Sequence, residues 1–190
     1  MSGGDAVVQL RGGDGQVSSV ALGQLRAADV ARAVPFRRWR SRPGQRHLPG
    51  SYWSATTSSH VVYESQLELC RVLLADFDVS TVDIRAQPLR LTAMVGGRKR
   101  SQVPDFLLVS VDGTVTVVNV KLASRVADPR VAQQLAWPAA LFTARGWGYE
   151  VWTGCDATVL ANVECAVPGR LPPRYRRGPD LGGCGCRRGT

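Results

Sequence analysis

At 190 residues, 44% apolar and 21% charged, the chain is long enough for one domain with a full core and too short for two ordinary ones. No run approaches the roughly 18 apolar residues of a membrane span, and Met1-Ser2-Gly3-Gly4-Asp5 has neither the basic start nor the apolar stretch of a secretory signal, so a cytoplasmic protein with no membrane partner is expected. The net charge of +9 is concentrated: segment 35–60 holds Arg37, Arg38, Arg40, Arg42 and Arg46 with no acid, 98–100 is Arg98-Lys99-Arg100, and the stretch from Arg170 holds six arginines against Asp180. The remainder is net acidic. Positive clusters around an acidic body suit a phosphate backbone, where each contact releases a condensed counterion, and DNA is the expected partner. Trp39, Tyr52 and Trp53 beside the first cluster suit stacking on bases or anchoring of the basic segment to the core.

Residues 1–57 read as a flexible N-terminal arm, Gly/Ala-rich at first and then basic, with Pro35, Pro43 and Pro49 favouring extended chain. Tyr63, Leu67, Cys70, Leu74 and Phe77 fall at helical spacing, predicting a helix over 60–77 capped by Thr57, Ser58 or Ser59. Glu64 and Glu68 then lie one turn apart at the border of its apolar face, and pairing with Arg71 is their plainest use. Val82–Arg85 and Leu89–Val95 read as strands separated by Gln87-Pro88, with Gly96-Gly97 as a turn.

Asp105–Val111 and Thr114–Lys121 flank Asp112-Gly113 and predict a β-hairpin. Asp128-Pro129 predicts the start of a helix over 129–145, bent at Pro138 and stopped by Gly146, with a strand at 149–153. Residues 168–190 read as a disordered Gly/Arg/Cys tail. Cys70, Cys155 and Cys165 are expected to be small buried hydrophobes; Cys184-Gly185-Cys186 lacks the second pair of a zinc site, and His47 and His60 are too isolated for a triad or a metal site. No phosphate-binding glycine loop occurs.

The hairpin carries the chemistry, because it folds Asp105 back towards Asn119 and Lys121, which share a face. A two-residue loop would pair residues whose numbers sum to about 225 and put Asp105 and Lys121 on opposite faces. A three-residue loop with a glycine bulge, expected here at a sum of about 226, sets Asp105 opposite Lys121 and Leu107 opposite Asn119. An acid, a second oxygen donor and a helix glutamate can hold Mg2+ or Mn2+ beside a phosphate, with the lysine to orient the nucleophile or stabilise developing negative charge, which points to phosphodiester hydrolysis.

Pro104-Asp105 with Asn119-Val120-Lys121 resembles the PD-(D/E)xK nuclease superfamily. Tyr63-Glu64-Ser65-Gln66-Leu67-Glu68, Leu74-Ala75-Asp76-Phe77-Asp78 and Ile84-Arg85-Ala86-Gln87-Pro88-Leu89, in that order before the hairpin, bring residues 50–165 closer to the TnsA-type endonuclease subunits of heteromeric transposases. The resemblance implies a restriction-endonuclease-like α/β fold: a single domain over 58–167 with a mixed sheet flanked by helices, plus basic arm and tail. It makes Glu68 the helix ligand, with Glu64 as the competing choice, Asp105 and Asn119 the other metal ligands and Lys121 the catalytic lysine. Gln87 matches a family glutamine near the site.

The implied activity is Mg2+- or Mn2+-dependent cleavage of one strand at transposon ends, with an integrase-like transposase subunit and an ATPase regulator as partners. Asn119 stands where the superfamily usually has an acid, which removes one ligand charge. The alternatives are a weakened nuclease-like DNA-binding or assembly subunit and a stand-alone restriction or repair nuclease. Arg37, Arg38, Arg40, Arg42, Arg98, Lys99 and Arg100 are the expected DNA contacts.

Overall fold

The computed structural model of the chain describes residues 6–37 and 49–170. Arg38, Trp39, Arg40, Arg42 and Arg46, and the tail from 171 onward with Cys184 and Cys186, lie outside the described residues.

Among the described residues, ten strands and five helices form a mixed α/β fold. β1 (Val7–Arg11) and β2 (Val17–Ala21) pair as a hairpin, followed by a 3-10 turn at Leu22–Gln24 and the short α1 (Ala27–Ala31). β1 also pairs with β6 (Arg90–Val95), and β6 with β7 (Arg98–Gln102), giving an antiparallel sheet of order β2-β1-β6-β7. The flexible arm expected over 1–57 is corrected by this sheet. Val8, Leu10, Leu22, Leu25 and Val30 are buried in the same core as Leu89 and Leu91, so the N-terminal segment supplies part of the hydrophobic interior.

The second sheet has the order β10-β9-β8-β5. β5 (Thr81–Ala86), β8 (Phe106–Ser110) and β9 (Val115–Val120) are antiparallel neighbours, and β10 (Gly148–Trp152) runs parallel to β9. The crossover that a parallel pair requires is α4 (Pro129–Ala144), entered through the single turn α3 (Ala123–Val126). Asp128 caps α4 by accepting from the Arg130 N–H, and Gly146 ends its last turn at φ +83°.

Strand alternation splits this sheet between two cores. Leu107, Val115 and Val117 pack with Leu135, Leu141 and Phe142 of α4, whereas Phe106, Leu108, Val118 and Val120 pack with Val72 and Ala75 of α2 (Gln66–Phe77). Helices therefore cover the two faces, and the described residues contain no helix long and apolar enough to cross a membrane.

α2 differs from the helix expected over 60–77. Residues Ser59–Tyr63 form β4, paired with β3 (Gly50–Ser54), because His60-Val61-Val62-Tyr63 is β-branched and aromatic and finds a partner strand in β3 that local periodicity cannot reveal. Ser65, rather than Thr57, Ser58 or Ser59, is the N-cap. The β3–β4 hairpin is fastened to α2 by Asp76, which is 1% exposed and accepts from Tyr52 Oη (2.7 Å), Ser54 Oγ (2.6 Å), Ala55 N (3.2 Å) and Thr56 N (2.8 Å). Tyr52 thus anchors the hairpin to the core, while Trp53 meets His60 edge to face.

Two further differences concern the C-terminal half. α5 (Ala157–Arg170) extends the chain past the last expected strand and packs Val163 against Leu73 of α2. Cys155 and Cys165 are exposed and Cys70 is half-buried, against the burial expected of all three.

Candidate active site

The β8–β9 hairpin turns through Val111-Asp112-Gly113. Ser110 N donates to Thr114 O, Gly113 N donates to Ser110 O, and Gly113 takes φ +83°. This is the three-residue glycine turn expected from the sequence. The register is not: Phe106 pairs with Val118 and Leu107 with Val117, a sum of 224, which sets Asp105 beside Asn119 instead of Lys121. The corrected sum is still even, so the pleat keeps Asp105, Asn119 and Lys121 on one face.

Asp105 sits where β8 begins, after Pro104, which has no N–H to extend the ladder. Its backbone stays in the sheet, with its N–H donating to Val118 O (3.1 Å) and its carbonyl accepting from Gln87 N (2.8 Å). The carboxylate adds to the pairing with β9: Oδ2 accepts from Val120 N at 2.7 Å and from Lys121 Nζ at 3.2 Å. Lys121 Nζ also donates to Val120 O at 2.8 Å. Asp105 is 9% exposed, and its Oδ1 makes no hydrogen bond to any described residue, which leaves one carboxylate oxygen for a ligand.

These side chains line a cleft of about 460 Å³ between the β7 edge, the ends of β8 and β9, and the first turns of α4. Arg37, Arg100, Gln102, Asp105, Asn119 and Lys121 face it. The basic triplet is divided by the pleat: Arg100 pairs with Ala93 on the core side, whereas Lys99 pairs with Met94 on the opposite face. Of the expected DNA contacts Arg98, Lys99 and Arg100, it is Arg100 that lines the cleft.

Asn119 is 1% exposed and engaged at both ends of its amide. Its Oδ1 accepts from Gln102 Nε2 at 2.7 Å, and its Nδ2 donates to the Tyr149 hydroxyl at 2.8 Å. The metal-ligand role expected of Asn119 is therefore in competition with two protein hydrogen bonds. Tyr149 reaches Asn119 because β10 runs parallel to β9 and puts Tyr149 opposite Val117 on the same face. Burial, with the Asp105 charge adding to it and a Gln102 hydrogen bond opposing it, pushes the Tyr149 hydroxyl up to about 12.

Glu68 is a helix-capping residue as well as a candidate ligand. Ser65 Oγ accepts from Glu68 N (3.2 Å), and Glu68 returns the bond by accepting from Ser65 Oγ (3.1 Å) and Glu64 N (2.7 Å). Burial raises its pKa above the usual 4.5, and the charges of Asp105 and Glu64 raise it further against those two hydrogen bonds. Glu68 and Asp105 thus feel each other across the end of the sheet, although Glu68 is not among the cleft residues.

Because the folded chain holds the Glu68 proton more tightly than the unfolded chain, the wild type loses stability as pH rises through 4.5 to the raised native value. Glu68→Gln is expected to gain on the wild type across that window in denaturant titrations; an offset independent of pH would contradict the raised pKa.

Glu64, the competing helix carboxylate, pairs with Arg37 at 3.6 Å, and Arg71 pairs in bidentate fashion with Glu150 rather than with either helix glutamate. Gln87 is 4% exposed and held at φ +45°, a left-handed conformation that costs a non-glycine residue about 1–3 kcal/mol. Its N–H donates to Asp105 O and its carbonyl accepts from Phe36 N, so its backbone links the segment after α1 to the start of β8 beside Asp105, while its side chain stays out of the cleft.

Sequence reasoning missed Gln102 and Tyr149. Gln102 lies two residues beyond Arg100 on the same face of a strand the sequence reading left out, and Tyr149 is joined to the site only by parallel pairing. Among the described residues no three His, Cys, Asp or Glu side chains gather closely enough to hold a metal ion by themselves. Compared with known proteins, the chain matches no family model and no curated sequence.

Proposed function

We propose that the protein is a cation-dependent DNA endonuclease subunit of the TnsA type, acting on one strand at transposon ends. The observation that carries this reading is the Asp105–Lys121 pair at 3.2 Å, at the end of two sheet strands and in a cleft flanked by Arg37 and Arg100. The order α2, β5, β8, β9, α4, β10 around a mixed sheet supports a restriction-endonuclease-like core. The cytoplasm, an integrase-like transposase and an ATPase regulator belong to the same reading.

The donors fit a hard divalent cation at the low end of ligand charge. Asp105 offers Oδ1, Glu68 offers lone pairs left over from helix capping, and magnesium is satisfied by one or two carboxylates with water completing its shell. Bound there, Mg2+ or Mn2+ would supply Lewis acidity towards a phosphoryl oxygen and an attacking water. Lys121 brings a positive charge, oriented by Asp105 and the Val120 carbonyl, to the oxygen where negative charge develops. Arg100 holds a neighbouring phosphate. Replacing Arg100 by alanine is expected to reduce the slope of log K against log salt for duplex binding by about 0.9, the value for one lost phosphate contact; an unchanged slope would remove Arg100 from the interface.

The engagement of Asn119 by Gln102 and Tyr149, and of both Glu68 oxygens by the α2 cap, favours a second reading, a nuclease-like subunit that binds DNA and assembles without cutting. Duplex carrying transposon ends, incubated with the partner transposase and Mg2+ or Mn2+ and resolved by strand, separates the two. A nick in one strand that a chelator abolishes is expected. Binding without any nick under either cation would establish the second reading in its place.

A further inference from the structure

We propose that Gln102, in place of Asn119, supplies the neutral oxygen ligand of the cation site, with Asn119 fixing which end of the Gln102 amide is left as an unpaired acceptor. This rests on the nuclease reading. Gln102 Oε1 is buried and has no hydrogen-bond partner, although its own Nε2 is well bound to Asn119 Oδ1 at 2.7 Å. A buried acceptor left unpaired forfeits the hydration it had in the unfolded chain, so the fold retains it at a loss unless something else satisfies it.

That orphaned oxygen belongs to a residue of the same cleft as Asp105 and Lys121. Its orientation is not accidental. Asn119 Nδ2 is committed to the Tyr149 hydroxyl, which leaves Asn119 Oδ1 as an acceptor that only the amine end of Gln102 can satisfy. The Tyr149 hydroxyl, accepting from Asn119 Nδ2 at 2.8 Å, keeps that side chain fixed. Asn119 is then the support, and β7 of the other sheet provides the oxygen. Amide oxygens are good ligands for hard cations, and residues that orient such ligands commonly change affinity by 10–100-fold.

Calorimetric titration of the full-length protein with Mn2+, without DNA, tests this in the wild type, Asp105→Ala, Gln102→Met and Gln102→Glu, each checked for folding by its thermal transition. Gln102→Met keeps the volume and loses the oxygen, and roughly tenfold weaker Mn2+ binding is expected. Gln102→Glu keeps an acceptor towards Asn119 once that amide turns over, adds a charge, and is expected to bind Mn2+ more tightly than the wild type. If Asp105→Ala loses Mn2+ while Gln102→Met and Gln102→Glu match the wild type, the orphaned oxygen serves a structural water and the Gln102 proposal is overturned with the nuclease reading intact. If the wild type takes up no Mn2+, the nuclease reading itself fails.

Discussion

Asp105→Ala is expected to abolish cation-dependent strand cleavage, a loss of roughly a thousandfold or more, without weakening duplex binding. The asymmetry follows from charge. Affinity for a duplex comes from cationic side chains on phosphates, and removing an acid takes none of them away. Cleavage loses the one carboxylate that lines the cleft among the described residues, and also the partner that orients Lys121. Alanine additionally strips Val120 N of its acceptor, so Asp105→Asn is the informative companion: it keeps an oxygen for Val120 N and discards the charge. Both variants should be inactive, with the asparagine closer to wild-type stability. Wild-type nicking by either would move the chemistry elsewhere.

The second large effect concerns stability. Asp76→Ala is expected to cost about 3–5 kcal/mol, because it leaves Ser54 Oγ, Tyr52 Oη and the N–H groups of Ala55 and Thr56 without their shared acceptor at a buried position. Burial pushes the Asp76 pKa up, but hydrogen bonds led by Ser54 and Thr56 outweigh it and hold the carboxyl below its usual 3.8. The stabilisation is therefore complete above pH 3.8 and is lost as pH falls through the lowered native value. Denaturant titrations of wild type and variant should converge as the solution is acidified. A difference under 1 kcal/mol at neutral pH, or one that persists unchanged into acid, would deny Asp76 this role.

Local pattern carried much of the architecture. Asp128-Pro129 and Gly146 marked α4 because capping and a positive φ are set by neighbours in sequence. Asp112-Gly113 likewise marked the hairpin, and its even register, though wrong by one pair, kept Asp105 and Lys121 on one face. What depended on distant partners was not legible. Ser59–Tyr63 carries helical periodicity into α2 and becomes a strand only because β3 lies beside it. The N-terminal Gly- and Ala-rich segment becomes a sheet because β6 offers it an edge. In the site, Asp105 and Lys121 came together as the hairpin required, while the hydrogen bonds that occupy Asn119 and the capping bonds of Glu68 depend on partners that motif spacing does not encode.

The convergence of Asp105 and its neighbours on a single divalent ion is tested most directly by crystals soaked in Mn2+ and measured for anomalous scattering. One peak about 2.1 Å from Asp105 Oδ1, within reach of Glu68 or Gln102, is the predicted result. No peak in the cleft, or one held by residues remote from Asp105, would contradict it.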